Sequence, residues 1–267
     1  MLEIGLIGAG SVAKHHIDAW LKRDTAQIVA VADTDPKRAT KAAAILGIER
    51  WTTDYHELLG WEDIDAVDIC TTESTHGSIA SKAAAAGKHV VCEKPLCLNL
   101  AEADQMIEAC KVAGVKLMVG LTQYFGGPAM KAKEILDSGE IRPLVTATSY
   151  ICKNWNYSTR RPQYRSRFHG GGMWMTNGVH VVDRLTWMMA SQAVSVSAAI
   201  GNRSHYQAAD DTSTVFIRYR SGVAGIAVAV AYADGAPLHD CIMYGTQGSL
   251  RFANSPGNSL QIGKENK

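Results

Sequence analysis

Glu3-Ile4-Gly5-Leu6-Ile7-Gly8-Ala9-Gly10-Ser11-Val12-Ala13 decides how the first half of the chain is read. Glu3 to Ile7 form a short apolar strand broken by Gly8. Beyond the glycines, Val12, Ala13, Ile17, Trp20 and Leu21 recur at helical spacing, with Lys14, Asp18, Lys22 and Arg23 on the other side. A second strand, Ile28 to Ala32, ends at Asp33, 20 residues after Ala13. Strand, Gly-x-Gly-x-x-Ala turn, helix, strand and acid in this order make a dinucleotide-binding fingerprint.

Each residue of the turn has a physical task. Gly8 permits the tight bend, Gly10 lets backbone approach a pyrophosphate, and Ala13 allows close helix–strand packing. Ser11 and Val12 lie where the helix N-terminus faces that anion. Asp33 is placed to accept hydrogen bonds from ribose hydroxyls, which favours NAD, with NADP possible. The bland alternative is a glycine turn without ligand and Asp33 as a helix cap before Pro36.

Outward from this stretch the alternation continues. Helices are expected at 36–46, 55–59, 78–86 and 100–113, and strands at 66–70, 89–92 and 116–119. Such alternation implies a parallel sheet with helices on both faces, a Rossmann domain over residues 1–122. Gly87-Lys88-His89-Val90-Val91-Cys92-Glu93-Lys94-Pro95-Leu96 adds a strand ending in an acid, a base and a proline. A lysine at the carboxyl end of a buried parallel strand sits where open α/β sheets present ligands.

From Pro143 the pattern changes to strands at 144–152, 194–200, 212–220, 223–232, 241–244 and 249–252, with one helix at 176–189 and a connecting helix at 130–136. Ser221-Gly222 and Gly245-Thr246-Gln247-Gly248 read as hairpin turns. Residues 123–267 therefore read as an α+β domain with a mostly antiparallel open sheet.

The chain has 267 residues, 46% apolar and 20% charged, with a net charge of +1, so no global electrostatic case exists for nucleic acid or membrane partners. The longest apolar run, Val223 to Ala233, is too short for a bilayer span of roughly 20 residues. No signal-peptide core opens the chain, and six cysteines without a Cys-x-x-Cys pair suit buried thiols in a reducing cytoplasm. No histidine–cysteine cluster has zinc spacing, so no metal is expected.

These motifs, with Cys70-Thr71, His76 and the run Gly170-Gly171-Gly172 leading to Gly178-Val179-His180-Val181-Val182-Asp183, resemble the glucose–fructose oxidoreductase / inositol dehydrogenase (Gfo/Idh/MocA) family. The resemblance runs from Met1 to about Phe252. It implies hydride transfer between NAD(P) and a secondary alcohol or ketone of a sugar, polyol or sugar acid. It also implies an antiparallel sheet that carries the substrate site and a homo-oligomer interface.

By the same resemblance Lys94 is the catalytic lysine and His180 the histidine closing an Asp-x-x-x-His motif, the two forming the working site. Thr71, His76, Glu93 and Lys94 fall on the cofactor side, and Thr176, Asn177, Arg161 and Tyr164 on the substrate side. Asp183 reads as structural.

Three departures stand out. Thr176 replaces the motif's aspartate, so Thr176→Asp is expected to hold or raise activity if His180 is the base. Thr122-Gln123-Tyr124 replaces the family's Asn-x-Arg. Members continue past the equivalent of Phe252, so this chain, closing in Gly263-Lys264-Glu265-Asn266-Lys267, reads as shortened.

The loop from Lys153 to His169 carries Arg160, Arg161, Arg165 and Arg167 among Trp155, Tyr157, Tyr164 and Phe168. Guanidinium groups beside the glycine turn would suit a carboxylated substrate. A dehydrogenase of a carboxylated cyclic diol is thus a second reading, and a non-catalytic dinucleotide-binding protein a third.

Overall fold

The structure, a computed structural model, describes residues 1–158, 160–232, 234–254 and 257–264. Ala233, the end of the longest apolar run, and the closing residues 265–267 lie outside them. The chain divides into two units, Met1–Gly120 and Leu121–Lys267.

In the first unit the strands are β1 (Leu2–Ile7), β2 (Ala26–Ala32), β3 (Trp51–Thr52), β4 (Ala66–Ile69), β5 (His89–Cys92) and β6 (Leu117–Val119). They form a parallel sheet in the order β3-β2-β1-β4-β5-β6. The order reverses between β1 and β4, the switch point at which open α/β sheets bind ligands beyond their strands' carboxyl ends.

Five helices cover the faces: α1 (Ala13–Trp20), α2 (Pro36–Leu46), α3 (Tyr55–Leu59), α4 (Glu73–Ala85) and α5 (Leu100–Val112). Period-two strand geometry sends Ile4 and Leu6 to one side, against Ala13, Ile17, Ala39 and Ala42. Ile7, Val67 and Ile69 point to the other, against Leu58, Ile79, Ala83 and Met106. Asp35 caps α2 by accepting the Lys37 amide, so Asp33 is left for another task.

Two elements of this unit differ from expectation. β3 is only two residues long, below what periodicity can resolve. α4 begins at Glu73 rather than Ser78, because its polar first turn, Glu73-Ser74-Thr75-His76, carries no apolar repeat.

In the second unit, α6 (Gly127–Asp137) leads to β7 (Leu144–Asn154) and, through the loop and a π-helical turn at Trp174–Gly178, to α7 (Val179–Met189). Then follow β8 (Ala193–Gly201), β9 (Thr212–Tyr219), β10 (Ala224–Tyr232), β11 (Asp240–Gly245), β12 (Gly248–Ala253) and β13 (Ser259–Gly263). The sheet order is β13-β12-β11-β7-β10-β9-β8, antiparallel except for the pair β7–β10.

One face of this sheet is buried. Ala147, Ile151, Val215, Ile217, Ala227, Ala229, Met243 and Phe252 pack on Ala132 and Leu136 of α6 and on Val181, Leu185 and Met188 of α7. Small residues on β10 let α7 approach closely: a Cβ on Gly225 would stand 2.8 Å from the Leu185 side chain. Arg184, wholly buried, locks α7 in place by donating to Ser149 Oγ, the Tyr150 and Asp240 carbonyls and Gln123 Oε1. Phe216 and Tyr244, which alternate with buried Ile217 and Met243, are exposed on the opposite face. β13, absent from the sequence expectation, pairs with β12 beyond Phe252. Among the described residues no helix is long and apolar enough to cross a membrane.

Candidate active site

At the carboxyl end of β1, Gly8 has φ +92°, and a Cβ there would lie 2.8 Å from the Cys70 carbonyl. The turn must therefore carry glycine to press against the end of β4. Around Gly10 the opposite holds, with nothing within 4 Å of a would-be Cβ. That open backbone, followed by an α1 N-terminus without a side-chain cap, fits a pyrophosphate. Ser11 is exposed and Val12 occupies the N-cap position.

Asp33 is 8% exposed and ties this turn together. Its Oδ2 accepts the Ala9 amide at 2.7 Å and its Oδ1 the Asp35 amide at 2.8 Å. Arg38 closes over the same carboxylate, with Nη2 3.0 Å from Oδ1. The acid at the end of β2 is thus held in one orientation by two amides and a guanidinium.

Beyond β4, Thr71 Oγ1 accepts a hydrogen bond from Thr75. His76 is turned inward: Nδ1 lies 2.9 Å from the Pro95 carbonyl and Nε2 3.3 Å from the Thr71 carbonyl. Its imidazole braces the loop carrying Lys94 against the loop after β4. Lys94 follows β5 and is half-buried; burial lowers its pKa, while Glu93 and Glu73 hold it up. The Lys94 amide donates to Glu93 Oε2 at 3.0 Å. Burial pushes the Glu93 carboxyl up, but the His16 hydrogen bond and the Lys94 charge hold it below the usual carboxylate range.

His16, on α1, touches two acids. Nδ1 lies 2.9 Å from Asp68 Oδ2, and Nε2 lies 3.0 Å from Glu93 Oε1. Among the described residues His16, Asp68 and Cys70 hold ligand-type atoms within 4.8 Å of one another. Both His16 nitrogens already meet carboxylates, and burial pushes the Cys70 thiol up to about 12, so the group reads as an ion network rather than a metal centre.

In the second unit the arginine-rich loop folds on itself. Arg160 stacks 3.8 Å over Trp155 and donates to its carbonyl, while Arg165 donates to the Arg160 carbonyl and lies over Tyr157. Arg161 and Arg167 remain exposed, Arg167 reaching Asp210 at 3.8 Å, and Tyr164 is half-buried beside Arg160. The three glycines thread a narrow gap. A Cβ on Gly171 would meet the Gln163 carbonyl at 2.4 Å, and one on Gly172 would meet Asp210 Oδ1 at 2.4 Å.

Thr176 and Asn177 lie buried in the π-helical turn. Thr176 Oγ1 donates to the Gly172 carbonyl at 2.7 Å and accepts from Asn177 Nδ2 at 2.8 Å. An aspartate in this place would set a carboxylate oxygen against that carbonyl, a cost to stability that the sequence alone does not show. His180, 8% exposed, stands one turn later at the start of α7. Three residues on, Asp183 is pushed up to about 6 by burial, and its Oδ2 has no hydrogen-bond partner among the described residues. Gln123 and Tyr124, at the Asn-x-Arg position, face Arg184 and the Trp187 ring.

His16 and Asp68 were not singled out in the sequence. Their signal was faint: a histidine one position before Ile17 on α1, and an acid inside the apolar run of β4.

A glycine turn at a parallel sheet's switch point, closed by an acid, defines a dinucleotide-binding oxidoreductase fold, and the sequence comparisons agree. Residues 2–121 match the model of an oxidoreductase family with an NAD-binding Rossmann fold, and residues 129–251 match the GFO/IDH/MocA C-terminal domain. The chain belongs to the GFO/IDH/MocA family.

It is similar to myo-inositol 2-dehydrogenase of Thermotoga maritima, 31% identical over 229 residues that cover 84% of this chain and 67% of that one. It is also similar to 1-carboxy-3-chloro-3,4-dihydroxycyclo hexa-1,5-diene dehydrogenase of Comamonas testosteroni, 29% identical, with 87% and 58% covered. Among solved structures, an NAD binding oxidoreductase from Klebsiella pneumoniae superposes with a TM-score of 0.91 at 29% identity, over 100% of this chain and 76% of its own.

Proposed function

We propose that this chain is an NAD-dependent dehydrogenase or reductase of a sugar, polyol or sugar acid, acting on a secondary alcohol or its ketone. The observation that carries this reading is Lys94, a half-buried ammonium beyond β5, flanked by two acids on the sheet edge that also bears the glycine turn. Relatives named as dehydrogenases of inositol and of other cyclic alcohols support the substrate class.

A bound nicotinamide would supply the hydride acceptor or donor. The chain's own residues do the rest. The backbone from Gly8 to Ala13 would hold the pyrophosphate and Asp33 the adenosine ribose. Lys94 as a cation stabilises negative charge developing on a substrate oxygen. His180 takes up the hydroxyl proton, the role a positioned imidazole fills in general acid–base catalysis. Asp183, one helical turn along the same face of α7, supplies above pH 6 the negative charge that Thr176 cannot.

Absorbance at the reduced-nicotinamide band, followed against a panel of polyols, sugar acids and cyclic diols, tests the proposal. Turnover of a polyol or sugar acid supports it. Cofactor binding without turnover of any member would favour a non-catalytic dinucleotide-binding protein.

A second reading, a carboxylated cyclic diol as substrate, draws on exposed Arg161 and Arg167 beside the glycine turn and on the Comamonas relative. We further propose a homo-oligomer through the exposed sheet face bearing Phe216 and Tyr244, which light scattering tests. Six free thiols, four of them buried, suit a cytoplasmic protein.

A further inference from the structure

We propose that His16 is an imidazolium clamp, fastening the Glu93–Lys94 strand end to helix α1, and thereby a positioning residue for Lys94. The inference rests on the reading of Lys94 as the working cation and adds what holds that lysine in place.

The geometry leaves the ring little choice. Nδ1 lies 3.0 and 2.9 Å from the two Asp68 oxygens, and Nε2 lies 3.0 Å from Glu93 Oε1. A neutral imidazole has one N–H, whereas an ionised carboxylate can only accept. Serving both acids therefore requires both nitrogens to be protonated. Each acid is itself surrounded by donors: Asp68 Oδ2 accepts the Trp20 indole N–H at 2.7 Å, and Glu93 Oε2 accepts the Lys94 amide.

β4 and β5 are sheet neighbours, so Asp68 and Glu93 would repel one another without a cation between them. Besides these two acids, the charged or titratable groups around the cluster are Cys70 just after β4, Cys92 at the end of β5, Lys94, and Glu73 on α4. Burial alone would lower the His16 pKa, but hydrogen bonds to Asp68, Cys70 and Glu93 reverse this and raise it to about 12.

The consequence reaches Lys94 through its neighbour. Glu93 grips the Lys94 amide with one oxygen and His16 with the other, so the ring decides where the strand end turns. Gly120 confines the same carboxylate, since a Cβ there would come within 3.1 Å of Oε1. α1 is the direct continuation of the glycine turn, so one ion triad registers that turn against the lysine.

Two measurements on the full chain test the clamp. In histidine labelled with nitrogen-15, the His16 signal, assigned by its loss in His16→Gln, should remain that of an imidazolium from pH 6 to 9. A neutral ring at pH 8 overturns the proposal whatever Lys94 does. In kinetics, His16→Gln should lower kcat by ~10–10²-fold, the scale of an ångström misplacement, with little change in NAD dissociation constant.

The same variant should gain an acid limb near neutral pH, because two facing carboxylates push one pKa up. His16→Lys, which restores the charge, should remove that limb. A folded His16→Gln with wild-type kcat and pH profile overturns the positioning role. Lys94→Met with full turnover would instead sink the reading of Lys94 and leave the nitrogen-15 result standing.

Discussion

Arg38 folds back onto Asp33, with Nη2 3.0 Å and Nε 3.1 Å from the same carboxylate oxygen. The acid that would bind ribose hydroxyls thus carries its own counter-ion, half-exposed and able to change partners. Ionised, Asp33 repels a 2′-phosphate, so the wild-type chain should bind NAD more tightly than NADP. Asp33→Asn should move the ratio of dissociation constants toward NADP by ~10-fold or more, since Arg38 is then released to pair with the phosphate. Titration with both cofactors checks this, and tighter NADP binding by the wild type would refute it.

Lys94→Met and His180→Ala should each lower turnover by ~10²–10⁴-fold, the usual cost of a positioned acid–base group. Cofactor affinity should hardly move, because neither residue belongs to the glycine turn. Wild-type turnover in His180→Ala would send the proton to another group.

Thr176 donates to the Gly172 carbonyl, a bond that no carboxylate can make. Thr176→Asp should therefore cost about 1–3 kcal/mol, the penalty for opposing two buried acceptors. Thr176→Ser should stay near the wild type. Thermal melts of the three proteins decide, and an undiminished Thr176→Asp melting temperature would contradict the packing described here.

Asp183 sets stability against activity. Burial raises it to about 6 from an ordinary aspartate value of ~3.9, so the fold prefers its neutral form. Its contribution is most favourable below pH ~3.9 and is lost as pH rises through about 6. Asp183→Asn should accordingly be more stable than the wild type by about 1–3 kcal/mol at pH 8 and yet less active there. Urea denaturation alongside a pH–rate profile separates the two effects.

His16 predicts the pH course of stability itself. Its pKa rises from 6.5 to about 12 on folding, so the clamp's contribution is complete below pH 6.5 and declines above it as the unfolded chain releases its proton first. It is fully lost once pH passes about 12. One proton sets a slope of at most about 1.4 kcal/mol per pH unit over that window. The difference in unfolding free energy between the wild type and His16→Gln should shrink from pH 7 to 9, and a constant difference would count against the clamp.

Much of the fold was legible because its signals are local. Gly8 to Ala13, Asp33 and the run of strands and helices lie in consecutive windows, and so does the hairpin at Ser221-Gly222. The parallel pair β7–β10 was not, because nothing in either strand's alternation names its neighbour. Among the candidate site residues, Lys94 and His180 each stand in recognisable motifs. His16 does not: its partners lie 52 and 77 residues away on other elements, and only folding brings them to one ring. Thr176 shows a third case. Its identity was read correctly, but the acceptor that makes an acid costly there comes from the glycine turn above it.

The position of β7 inside its sheet has a consequence for how the chain comes to be folded at all. In the first unit the opening turn meets Asp33 only 24 residues downstream, so its sheet can begin to assemble early in synthesis. β7 must wait, since Thr146 bonds a carbonyl 78 residues further on, and its other neighbour, β11, is made later still. Until then an 11-residue strand has neither partner, the situation in which nascent chains pair with one another instead. The hazardous interval in production of this protein is therefore the one between Asn154 and Asp240, and slowed translation there should lower soluble yield more than slowing anywhere before Gly120.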